Sequence, residues 1–245
     1  MANRANELLR IGEIADYDNA LNGVQIENDG RVTKIGAAVD ASAQTIQAAV
    51  AANVDFLIVH HGMFWPGLRP IAGAARELLR LALSNNLTLY SAHIPLDVHP
   101  ELGNNALLMR ALRVEHAAPF FPWKNTLLGY RADVALTRAE LMSRVREAVG
   151  GEPKVIDAGP DQIRSLGVIT GGAGGEIFEV AKLGIDTFIT GEAPHWAAVA
   201  ARELSINLIV AGHYATETFG VRALAEHLGG RFGLPHTFID APTGF

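Results

Sequence analysis

The segment beginning at Ile35 can be laid without gaps on the segment beginning at Leu166. In that register Gly36 meets Gly167, Ile46 meets Ile177, Val54 meets Ile185 and Asp55 meets Asp186. Phe56-Leu57-Ile58-Val59 then falls on Thr187-Phe188-Ile189-Thr190, and the polar pair His60-His61 falls on Gly191-Glu192. One strand further on, SAHIPLD (91–97) matches AGHYATE (211–217), which sets His93 on His213 and Asp97 on Glu217. Apolar patterning makes any two strand-helix-strand segments alike, but matching polar residues at strand ends are harder to obtain that way. The repeat predicts two related α/β units, an internal duplication, with a metal site between them.

The rhythm of the chain agrees with an α/β class. Short β-branched or apolar runs (VTKIGAAVD, DFLIVHH, LTLYSAH) alternate with helical patterns (SAQTIQAAVAAN, ARELLRLALSNN). The pattern resumes after APFFPWKNT with LLGYRADVAL, TRAELMSRVREAVG, SLGVIT, DTFITGE and INLIVAGH. Pro119 and Pro122 interrupt local structure, so a domain change is expected near residues 120 to 125. The first unit is then 1–123 and the second 124–245, with the C-terminal part packing back on the first.

Composition narrows the chemistry. With 245 residues, 49% of them apolar, the chain can bury a sizeable core. It has no cysteine, which excludes thiolate nucleophiles, iron-sulfur clusters and sulfur-ligated zinc, so any metal must bind through His, Asp, Glu or water. The net charge of -6 and the scattered basic residues give no nucleic-acid footprint. No stretch reaches the roughly 18 to 20 apolar residues of a membrane span, and the N-terminus lacks a signal-peptide core, so a cytoplasmic location without membrane contact is expected.

Ligands of open α/β sheets bind outside the carboxyl ends of the strands, and His60, His61, Asp97, His213 and Glu217 follow predicted strands there. A lone strand-end histidine is more often a hydrogen-bonded structural group. A His-His pair with two His-x-x-x-carboxylate units is better explained by metal ligation. Adjacent strand residues point to opposite faces, so both imidazoles reach one ion only if the chain turns at once, which Gly62 permits; otherwise each serves a different ion. Five ligands suit two ions about 3.5 to 4 Å apart with bridging oxygens. Imidazoles and carboxylates without sulfur favour Fe, Mn or Zn.

Three features remain open on the residues alone. His93 is placed by symmetry like His213, but Pro95 argues against a regular helix stacking it on Asp97, so it either ligates or moves protons from an outer position. Glu192 is a strand-end carboxylate that either binds substrate, orients a ligand or is merely solvated. The run GGAGGE (171–176) is either a tight strand-to-helix turn or an anion cradle.

The segments HHGMFW, SAHIPLDVHPELGNNALL and AGHYATETFGVRAL, with DNALNGVQIE near the start and HTFIDAP near the end, resemble the GTP cyclohydrolase 1 type 2 homologue (NIF3-like) family over nearly the whole chain. The resemblance implies a dinuclear metal site on His60, His61, Asp97, His213 and Glu217, with His93 outside the usual ligand list. It also implies two α/β units in a toroidal homohexamer. The expected function is metal-dependent hydrolysis of a small, nucleotide-like substrate, phosphorylated or not. A metal carrier or cofactor-assembly scaffold is the alternative.

Overall fold

The computed structural model describes residues 1 to 244, and the chain forms two compact units. The first comprises Met1–Leu96 with Gly220–Ala241, and the second Asp97–Phe219 with the residues from Pro242 onward. The division falls at Leu96, not beside Pro119 and Pro122, which lie within the strand Ala118–Trp123 of the second unit. That strand is at the sheet edge, where a missing N–H need not cost a ladder bond, so prolines there do not mark a boundary.

The first unit carries a five-stranded sheet in the order Gly23–Ile26, Thr88–Ser91, Phe56–His61, Ile35–Asp40, His236–Phe238. All neighbours are parallel except Gly23–Ile26, which runs antiparallel to Thr88–Ser91. The central strands IGAAVD and FLIVHH are apolar almost throughout and nearly all buried, as strands covered on both faces must be. Helix Ala43–Ala51 starts where the Ser42 side chain accepts from the Thr45 amide. With helix Gly73–Ser84 it buries Ile46, Ala49, Leu78 and Ala82 in a core with Leu57, Val59 and Leu89. The chain returns through the long helix Thr218–Phe232, after which His236–Phe238 extends the sheet beside Ile35–Asp40.

The second unit carries six strands in the order Ala118–Trp123, Thr126–Thr137, Gln162–Ile169, Thr187–Thr190, Asn207–Val210, Lys154–Asp157. Three of these, Gln162–Ile169, Thr187–Thr190 and Asn207–Val210, are parallel neighbours, with Lys154–Asp157 antiparallel beyond the last. The first unit has the same motif: three parallel strands in sequence order, then an antiparallel strand beside the third. Phe188 and Ile189 fall in different core clusters, as do Leu208 and Ile209, because successive side chains point to opposite faces. Helix Arg138–Val149 opens on a capping box between Thr137 and Glu140 and stops at Gly150 with a positive φ. No helix among the described residues is long and apolar enough to cross a membrane.

Candidate functional site

In the first unit the strand Phe56–His61 ends in its two histidines, and both are buried. Regular register with Ile35–Asp40 continues to the end, Asp40 lying opposite His61. Both imidazoles remain on the strand, with ring centroids 4.9 Å apart, and the chain turns only after them, where the Trp65 amide donates to the Gly62 carbonyl. Gly62 is needed for room, since a Cβ there would fall 2.1 Å from Gln25 Nε2. His93, just after the next strand, joins the pair, and one ring nitrogen from each of the three lies within 4.8 Å of the others.

What orients these rings is on the opposite nitrogen. His60 Nδ1 is 2.9 Å from the Ala92 carbonyl oxygen, and His61 Nδ1 is 2.9 Å from Asp40 Oδ1. His93 Nδ1 is 2.8 Å from Asp16 Oδ1. Each Nδ1 faces an oxygen and so donates to it, which leaves Nε2 as the ring nitrogen turned away from that partner, the arrangement typical of metal-ligating histidines. Asp16 also accepts from Asn22 Nδ2 and from the amides of Tyr17 and Ile94, while Asn22 accepts from the His93 amide. Burial works to raise the Asp16 pKa, but the hydrogen bond and charge of His93, then Asn22 and the Tyr17 amide, hold it below its ordinary value. Trp65 covers this group, with its ring 4.3 Å from His93 and 5.1 Å from His61.

In the second unit Asp97 is buried and its Oδ1 accepts from Asn104 Nδ2 at 2.7 Å. It closes the short helix Ile94–Asp97, where Pro95 is tolerated because the first turn of a helix needs no amide donor. The equivalent short helix His213–Thr216 leads into Glu217, and His213 Nε2 lies 3.3 Å from Glu217 Oε2. His213 Nδ1 is 2.9 Å from Glu192 Oε2, so Glu192 orients this imidazole as Asp40 does His61. Burial would lower the His213 pKa. The hydrogen bond and charge of Glu217, followed by those of Glu192, outweigh it and push the value up to about 9.

Two of the glycines of residues 171 to 176 have packing reasons. Gly171 has φ +69°, and a Cβ on it would fall 2.2 Å from Glu217 Oε1; at Gly174 a Cβ would fall 2.2 Å from that of Ala193. The amides of Gly171, Ala173 and Gly174 donate to Thr216 Oγ1, Thr190 Oγ1 and the Glu192 carbonyl. The segment is a tight turn in which the amides of Gly171, Ala173 and Gly174 are already committed, so these three do not serve an anion cradle.

Sequence reasoning missed Asp16, Asp40 and Trp65. Asp40 had a signal, being a carboxylate at the carboxyl end of a predicted strand, like the residues that were singled out. Asp16 lies before the first strand with no periodicity around it, and Trp65 lies among Pro and Gly; nothing local marks either.

A family model described as Duf34/NIF3 (NGG1p interacting factor 3) matches residues 1–243. The chain belongs to that family. A relative from Deinococcus radiodurans named GTP cyclohydrolase 1 type 2 homolog is 42% identical over 97% of this chain and 90% of its own length. One of the same name from Escherichia coli K12 is 39% identical over 97% and 95%. Among solved structures, TTHA1606 from Thermus thermophilus superposes with a TM-score of 0.89 at 38% identity, covering 100% of this chain and 98% of that one. The family resemblance read from the motifs is thus borne out, and the mixed α/β fold is that of the NIF3 structures.

Proposed function

We propose that this member of the Duf34/NIF3 family binds two divalent ions through His60, His61, Asp97, His213 and Glu217, and hydrolyses a small substrate there. One observation carries the reading: all four histidines, His93 included, have Nδ1 held by a carbonyl or carboxylate oxygen. Histidines with purely structural roles have no need of such uniform orientation. The donors are imidazoles and carboxylates without sulfur, a set that suits Fe, Mn or Zn.

When bound, a pair of such ions supplies Lewis acidity and activates water toward a carbon or phosphorus centre. The chain's own residues supply the rest. His93, fixed by the buried Asp16 carboxylate, holds a proton or gives it up at Nε2 beside the reacting group. Glu192 keeps His213 oriented, and Trp65 keeps bulk water from the histidines of the first unit. The relatives' name makes ring opening of GTP the first reaction to test. Descent of the two units from a duplication, a cytoplasmic location and a toroidal hexamer complete the proposal. The shared strand order of the two sheets supports the first of these.

The test is a screen of metal-loaded protein against GTP and other nucleotides, phosphoesters and cyclic amides. Turnover that falls by about 10²- to 10⁴-fold in His93→Gln with the ions retained is the expected result. No turnover of any of these by fully loaded protein removes the hydrolase and leaves a carrier.

A further inference from the structure

A cleft of about 870 Å³ opens in the second unit and is not explained by the ligand set. Its volume falls in the range of small-molecule sites. One wall is built by the antiparallel pair Lys154–Asp157 and Asn207–Val210, in which Lys154 lies opposite Val210 and Ile156 opposite Leu208. Alternation puts these four on one sheet face and sends Ile209 to the core on the other. Lys154 is therefore a cation set into an otherwise apolar strip. Ala198 of helix His195–Leu204 lines the cleft, and so does Glu192.

Charge balance points to the occupant. Two carboxylate side chains line the cleft and both are answered: Glu152 accepts from Arg146 Nη2 at 2.7 Å, and Glu192 from His213. Lys154 has no carboxylate partner among the described residues. Among the described residues the cleft thus offers largely apolar walls and one lysine without a carboxylate partner. It also touches, through Glu192, the carboxylate that orients a proposed metal ligand.

We propose that this cleft holds the non-reacting part of the substrate, a small organic molecule with an apolar body and one anionic group that pairs with Lys154. That the occupant is a substrate rests on the hydrolase reading; that it binds does not.

The probe is anilinonaphthalene sulfonate, an apolar ring system with a single sulfonate, followed by its fluorescence on the full chain, with uncharged phenylnaphthylamine as control. Wild type should bind the sulfonate about tenfold more tightly than the control, the size of one hydrogen bond to a charged group, and Lys154→Gln should remove the difference. Ala198→Phe, which places a ring in the cleft, should weaken both probes, and phenyl phosphate should compete with the sulfonate. Lys154 is exposed on its strand, so its substitution keeps the test valid even if Ala198→Phe fails to fold. Sulfonate binding unmoved by Lys154→Gln, or no preference over the uncharged control, overturns the proposal. Metal content measured on the same samples separates the two readings. Probe binding through Lys154 in protein that takes up no metal supports the ligand site and overturns the hydrolase alone.

Discussion

The two units end equivalent strands in opposite chemistry. In the first, Phe56–His61 closes on two imidazoles, oriented by the Ala92 carbonyl and Asp40. In the second, Thr187–Thr190 is followed by Gly191-Glu192, where a Cβ on Gly191 would fall 2.6 Å from Thr216 Oγ1 and Glu192 serves His213 from outside. The same strand frame thus presents two imidazoles held at Nδ1 in one unit and brings a carboxylate to each ring nitrogen of one imidazole in the other. Two imidazoles side by side need partners on Nδ1 to select the tautomer that coordinates. An imidazole beside Glu217 and Glu192 instead holds its proton, with its pKa pushed up to about 9.

Replacing a proposed ligand in either unit tests that contrast most severely. His61→Ala and Glu217→Ala should each weaken metal binding by more than the roughly 10- to 100-fold that loss of an outer partner costs. Isothermal titration or competition with a chromophoric chelator measures it, and an unchanged affinity in either variant breaks the comparison. Next come the orienting carboxylates. Asp40→Asn and Glu192→Gln should each cost about 10- to 100-fold in affinity while leaving the fold intact by circular dichroism. An effect in one unit and none in the other would show that the two carboxylates are not equivalent.

A backbone substitution sharpens the second half. Gly171→Ala places a side chain in the left-handed region and against Glu217 Oε1. It should destabilise the metal-free protein by at least about 1–2 kcal/mol in urea unfolding. The smallest effect is in pH. The raised His213 pKa means that its pairing with Glu217 and Glu192 contributes full stability below about pH 6.5 and loses it as pH rises through about 9. The stability advantage of metal-free wild type over His213→Gln should therefore shrink on that side. A gap that widens as pH rises would contradict the sign.

Much of this is legible in the amino-acid sequence alone. Strands such as FLIVHH and INLIVAGH announce themselves because a strand buried on both faces has little room for polar residues until its end. The same logic exposed the proposed ligands, which are polar residues where the apolar run stops. The unit division was not legible, because Pro119 and Pro122 act as a breaker in a helix or central strand but are tolerated at a sheet edge. The orienting partners were only partly so. Asp40 stands at a strand end, whereas Asp16 meets His93 across 77 positions of chain, and a contact of that range leaves no periodic trace in sequence. The glycines of residues 171 to 176 read as a tight turn before an anion cradle, and the Cβ positions at Gly171 and Gly174 with the committed amides of Gly171, Ala173 and Gly174 favour the turn.

The central claim is that the two halves hold a pair of ions, and elemental analysis of protein purified without chelators and then loaded separately with Fe(II), Mn(II) and Zn(II) tests it most directly. The account predicts about two ions per chain for at least one of these metals, falling in both His61→Ala and Glu217→Ala. Fewer than about one ion per chain with all three metals, or two ions retained in both variants, would contradict it.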